Sequence, residues 1–181
     1  MILLKMSKVI PGDSKLTDYP GDQGWFSCNS CSFGIEREQK EGAKAGTDDI
    51  TIGVGLLKEC SIEKVSNEAS CIAFVYGIAG GPMESAIIHF VQTKGVGTDQ
   101  SVYPYMSMCL KPAFIKTWNV SGSEDGRPTE SITLWYRKIG ICYKTYKATS
   151  DGKGYEYGTP KYAGWDQVKN IAWTPSDSDF K

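Results

Sequence analysis

Apolar and polar residues alternate along most of this chain with the two-residue period of a β-strand. Ile2-Leu3-Leu4-Lys5-Met6 predicts a first strand, ended by the turn Pro11-Gly12-Asp13-Ser14, and Lys15 to Gly24 reads as a loop. Trp25 to Ile35 follows as a strand. Its residues Trp25, Cys31, Phe33 and Ile35 are odd-numbered and so share one face, while Ser30, Ser32 and Gly34 share the other. From Glu36 to Asp49 there is no large apolar residue, so this stretch has nothing to bury. It is expected to be a long polar extended hairpin or loop, residues 36–49, reaching away from the body. Ile50 to Val65 resumes the alternation, with Ile50, Ile52, Val54 and Leu56 on one face and a slip near Leu57 that suits a bulge or a turn.

One segment departs from the strand period. Ser66-Asn67-Glu68-Ala69 offers a capping side chain, and Cys71, Ile72, Phe74 and Val75 continue to a stop before Gly80-Gly81-Pro82, which predicts a short helix over residues 67–79. Four more strands are expected over 84–92, 103–120, 131–146 and 163–173, separated by Gly-rich breaks at 95–100, 122–129 and 151–158. Many strands with one helix predict a mainly β fold, a closed β-barrel of two antiparallel sheets. One domain is expected over residues 1–173, followed by a mobile polar C-terminal tail, residues 174–181.

Composition agrees with this picture and removes several functions. The 181 residues include 20 Gly, 10 Tyr, 6 Phe and 5 Trp, a mixture suited to twisted strands and tight turns. Lys plus Arg (20) balance Asp plus Glu (21), so no basic field recruits nucleic acid. A near-zero net charge also removes one barrier to self-association. No apolar run approaches the ~18 residues of a membrane helix, so no membrane insertion is expected. Lys5 and Lys8 interrupt the start too early for a secretory signal, which predicts folding in the cytoplasm.

The candidate chemistry is sparse. Cys28-Asn29-Ser30-Cys31 has C-x-x-C spacing, but within a strand residues three apart point to opposite faces, and no second such pair exists to complete a metal site. Most of the six cysteines read as small buried apolar residues. His89 is the sole histidine and sits between Ile88 and Phe90 on a strand, the setting of a structural residue rather than of a nucleophile's base. The carboxylate pairs Glu36/Glu38, Asp48/Asp49 and Glu124/Asp125 fall in polar loops or strand ends, where solvation keeps them ordinary. No phosphate loop or nucleophile elbow is present. No catalytic residue, metal or cofactor is expected.

The most distinctive stretch is Val120-Ser121-Gly122-Ser123-Glu124-Asp125-Gly126-Arg127-Pro128-Thr129-Glu130-Ser131-Ile132-Thr133-Leu134, physically a hairpin with a Gly-rich acidic turn. It resembles the haemolysin-coregulated protein family, the inner-tube subunit of bacterial type VI secretion. Ile10-Pro11-Gly12-Asp13-Ser14-Lys15 before the Trp25 strand is similar to that family's opening turn. Lys64-Val65-Ser66-Asn67-Glu68-Ala69-Ser70 is similar to the stretch that introduces its single helix, and Gly164-Trp165-Asp166 with Asn170 to its closing strand. The six cysteines and the Tyr103-to-Cys109 strand depart from the pattern and mark a specialised member.

The resemblance implies a non-enzymatic subunit that forms homohexameric rings. These would stack into a hollow tube, work with spike, baseplate and contractile sheath proteins, and carry effector cargo. It also implies that the chain is cytoplasmic before firing and then exported without a signal peptide. Ring stacking needs a contact of its own, and the projecting loop supplies a candidate interface in Glu41, Lys44, Asp48 and Asp49. The alternative left open by the residues alone is a monomeric β-barrel that binds a small ligand.

Overall fold

The structure is a computed structural model that describes residues 1–6, 10–40, 51–93, 102–149 and 155–181. In chain order the strands begin with β1 (Ile2–Met6), the two-residue pair β2 (Lys15–Leu16) and β3 (Tyr19–Pro20), β4 (Trp25–Cys28), β5 (Ser30–Ser32), β6 (Ile35–Lys40), β7 (Thr51–Leu57) and β8 (Cys60–Val65). Helix α1 (Ala69–Ala79) precedes β9 (Ala86–Thr93), the twenty-residue β10 (Val102–Ser121) and β11 (Thr129–Tyr143). The chain closes with β12 (Tyr146–Ala148), β13 (Tyr155–Tyr157), β14 (Lys161–Asp166) and β15 (Ile171–Ala172).

The main body is one nine-stranded antiparallel sheet rather than two sheets, and it curls. Along its path the order is β15-β14-β11-β10-β9-β1-β4, while β11 also pairs with β8 and β8 with β5. Because β4 and β5 are successive parts of one run, hydrogen bonding returns to where it began, and the Asn29 amide bridges the break by donating to the Glu63 carbonyl at 2.7 Å. Register shifts between Pro104 and Met106 and between Ile115 and Thr117 let the long β10 bend around the curl. The opening turn depends on Gly12, where a Cβ would collide with the Trp25 carbonyl.

The same break at Asn29 corrects the expected face of Trp25 to Ile35. Phe26 and Cys28, both even-numbered, point into the main core, and after the extra residue the odd-numbered Cys31 and Phe33 pack against that same core. Trp25 lies in a second cluster on the other side, and Ile35 is exposed. Cys28 and Cys31 therefore do not point to opposite faces. The stretch from 50 to 65 is not one strand but two: β7 pairs with β6 in a separate hairpin, and β8 joins the main sheet after a break at Lys58-Glu59. Leu56 is exposed while Leu57 packs on the core; the side chains of Ile50, Ile52 and Val54 lie outside the described residues.

Both faces of the sheet are covered, as the strand period shows. Leu4, Ile88, Met108 and Leu110 enter the inner core with Ile62, Ile132, Leu134 and Tyr136, whereas their neighbours Leu3, Ile87 and Cys109 enter an outer cluster with Tyr19, Trp25, Val91, Cys142 and Phe180. The C-terminal segment expected to be a mobile tail completes that outer cluster. Asp177–Phe180 forms a 3₁₀ turn held by reciprocal Ser176 and Asp179 contacts, and Phe180 is buried. An apolar residue four positions after Ser176 needed a patch to cover, and the outer face supplied one.

His89 is part of this arrangement. Its Nε2 lies 2.9 Å from the Phe180 carbonyl, an acceptor only, so Nε2 carries the proton and Nδ1 accepts from the Tyr19 hydroxyl at 3.1 Å. Both nitrogens are engaged, which leaves none for a nucleophile. Burial pushes the imidazole down to about 4, against the opposing pull of the Phe180 carbonyl. The unfolded chain takes that proton near pH 6.5, so stability from neutral His89 is complete above that value and is lost as pH falls toward 4. Between pH 7 and pH 5 the loss is expected to be about 2 kcal/mol in urea unfolding. A His89→Gln variant, which keeps both hydrogen bonds without titrating, should lack that slope; an equal slope in the variant would contradict the assignment.

Candidate assembly surfaces

Helix α1 begins where β8 ends, at a buried ion pair. The inward positions of β8 are Cys60, Ile62 and Lys64, and their register partners on β11 are Leu134, Ile132 and Glu130, so a charged rung tops an apolar ladder. Lys64 Nζ lies 3.4 Å from Glu130 Oε2, with both side chains fully buried. The ammonium also donates to Asn67 Oδ1 at 2.8 Å, the Val65 carbonyl at 3.0 Å and Ser70 Oγ at 3.3 Å, and sits over the Phe26 ring. Trp118 Nε1 donates to the Glu130 carboxylate at 3.2 Å. Burial alone would raise the Glu130 pKa, but the Ser70 and Ser66 hydroxyls, the Lys64 ammonium and the Trp118 indole together hold it below the usual range.

This rung joins two of the sequence stretches singled out above. Ser66 N–H donates to the Pro128 carbonyl at 2.9 Å, so the Lys64-to-Ser70 segment is stitched to the Pro128-Thr129-Glu130 segment by both backbone and charge. Asn67 Oδ1, positioned by Lys64, accepts the Ala69 amide at 3.1 Å and caps α1. Sequence reading missed the pair. The signal was strand parity, because Lys64 is in phase with Ile62, and Glu130 with Ile132.

The helix is apolar on two faces. Ala69, Ala73 and Gly77, four residues apart, face the sheet, where the Gly77 Cα is close enough to Ile115 that a Cβ would touch it at 3.4 Å. Ile72 and Tyr76 pack beside them on the core, whereas Phe74, Val75 and Ile78 point away and are 45%, 58% and 72% exposed. Phe74 packs edge-on against Trp118, and these two with Val75, Val120 and Pro128 line an open apolar hollow of about 470 Å³ whose polar end is Ser66, Ser70 and Glu130. Further large apolar side chains are exposed elsewhere, among them Ile35 and Leu56 on the β6–β7 hairpin, Trp135 on β11, and Val168 and Ile171 near β15.

The four residues expected to form a stacking contact, Glu41, Lys44, Asp48 and Asp49, lie outside the described residues. Their flanks are described. β6 and β7 pair antiparallel from Ile35↔Leu57 to Lys40↔Thr51, in a two-stranded sheet of their own, with Glu36 bridged to Lys58 at 2.9 Å. Glu124 and Asp125 occupy an exposed turn. Among the described residues no group of three or more His, Cys, Asp or Glu is placed to hold a metal ion, and no helix is long and apolar enough to cross a membrane.

The sequence profile of the family described as "Type VI secretion system effector, Hcp" matches residues 3–143. Solved structures share the fold at low sequence identity. A type six secretion system protein aligns with TM-score 0.75 at 18% identity, over 95% of this chain and 98% of its own. Hcp1 from Salmonella typhimurium gives 0.69 at 20% identity over 95% and 97%, and a type VI secretion system effector from Yersinia pestis 0.62 at 14% over 92% and 99%. No curated protein sequence matches the chain. With the profile spanning β1 through β11, helix α1 and the acidic-turn hairpin, this chain belongs to the Hcp family of type VI secretion.

Proposed function

We propose that the chain is a structural subunit of the type VI inner tube. Copies close into hexameric rings, the rings stack into a hollow tube, and sheath contraction expels the tube from the cytoplasm with effector cargo in its lumen. The observation that carries this reading is the second apolar face of α1, which packs Ala69, Ile72, Ala73 and Tyr76 on the core and still exposes Phe74, Val75 and Ile78. A subunit that keeps such a face solvated is less stable than one that buries it against another copy. Ring closure uses a heterologous contact, and the segment 36–49 with Glu41, Lys44, Asp48 and Asp49 supplies the separate contact between rings.

The test is the absolute mass of the purified protein by light scattering behind a sizing column. A mass near six subunits is expected, followed by stacked rings in electron micrographs. A chain that stays monomeric at high concentration would overturn self-assembly. It would favour a second reading, a monomeric barrel that takes a small apolar ligand in the hollow between α1 and Trp118, which is within the size range of ligand sites.

A further inference from the structure

The six cysteines are chemically unequal. Cys28, Cys60, Cys109 and Cys142 are buried, Cys71 is exposed on α1, and Cys31 is half-buried. Cys31 lies on β5 opposite Ile62 of β8, and Cys60 is two residues along β8 from Ile62, in phase with it, so both thiols occupy the inner side of adjacent strands. Their sulfurs are 3.7 Å apart, in van der Waals contact. A disulfide needs them at about 2.05 Å, and because the two residues are diagonal rather than opposite on their strands, closure requires the three-residue β5 to shift.

We propose that Cys31 and Cys60 are a redox pair that forms an intramolecular disulfide on meeting a low-molecular-weight disulfide, stapling β5 to β8 where the curled sheet returns on itself. Cys31 acts first because it is the less buried residue of the pair and lies on the short β5, Cys60 being fully buried. Its thiolate attacks one sulfur of, for example, oxidised glutathione, expelling one glutathione thiolate and leaving a mixed disulfide. The Cys60 thiol then attacks the Cys31 sulfur and its proton passes to the departing sulfur, releasing the second glutathione as a thiol. Two protein thiols are oxidised to one cystine and one glutathione disulfide is reduced to two thiols.

The electrostatics support this order. The Cys60 S–H, donating to Cys31, holds the Cys31 thiol below its ordinary pKa, and the same contact with burial drives Cys60 upward. Burial pushes Cys28, the other half of the C-x-x-C spacing, up to about 12. The reactive partner of Cys31 is thus contributed by another strand and not by its sequence neighbour.

The experiment incubates the folded protein with oxidised glutathione, blocks remaining thiols with a maleimide under denaturing conditions, and maps peptides without reduction. The expected result is loss of two of the six thiols beyond any adduct on the exposed Cys71, and recovery of a peptide joining Cys31 to Cys60, with a higher urea midpoint that reductant reverses. Cys60→Ser should instead trap a stable glutathione adduct on Cys31. Cys31 joined to Cys28, Cys60 still free after oxidation, or an adduct confined to Cys71 would each overturn the proposal. The wild-type peptide map decides even if the variant fails to fold, and the result does not depend on tube assembly.

Discussion

Lys64→Met should lower the free energy of unfolding by about 3–5 kcal/mol, as removal of one member of a buried ion pair does. The substitution leaves the Glu130 carboxylate at the end of an apolar ladder without its cation and frees Asn67, which caps α1, from the ammonium that positions it. Since small domains have about 5–15 kcal/mol in total, the variant should unfold at markedly lower urea. The double variant Lys64→Met with Glu130→Leu should recover much of the loss, because two apolar side chains of similar volume suit that rung. Urea titrations of the two single variants and the double variant measure the coupling. A single variant within about 1 kcal/mol of wild type would show that the rung contributes little.

Deleting residues 41–48 should leave rings intact and abolish tubes. The deletion falls beyond the described ends of a hairpin that pairs only with itself among the described residues, so β6 and β7 can be joined by a short turn without touching the main sheet. Light scattering should then give the same ring mass as the full chain, while electron micrographs show single rings. Long tubes from the deleted chain would mean that Glu41, Lys44 and Asp48 do not make the stacking contact.

Element types were largely legible in the sequence because they rest on local periodicity. The apolar stretch expected as a strand over 84–92, the one over 131–146, and the change of period at Ala69 with Gly80 as its stop survive into the structure as β9, β11 and α1, with shifted ends. The polar start at Glu36 likewise marked a hairpin. What failed was bookkeeping across a break. One extra residue at Asn29 reverses which side chains face inward, and the alternation that carries Trp25 outward cannot by itself report that reversal.

The candidate surfaces divide in the same way. The mainly β class and the helix follow from residue order alone, since each depends on neighbours within a dozen positions, and the family resemblance follows from the order of four short motifs along the chain. Only the tertiary structure brought Lys64 opposite Glu130, Cys31 against Cys60 and Phe180 onto His89, pairs separated by 66, 29 and 91 positions. It alone decided that α1 turns its small face inward. That outcome depends on how closely Ala73 and Gly77 approach Ile115 on a distant strand. Local periodicity records which residues share a face; which face the sheet buries is set by long-range packing.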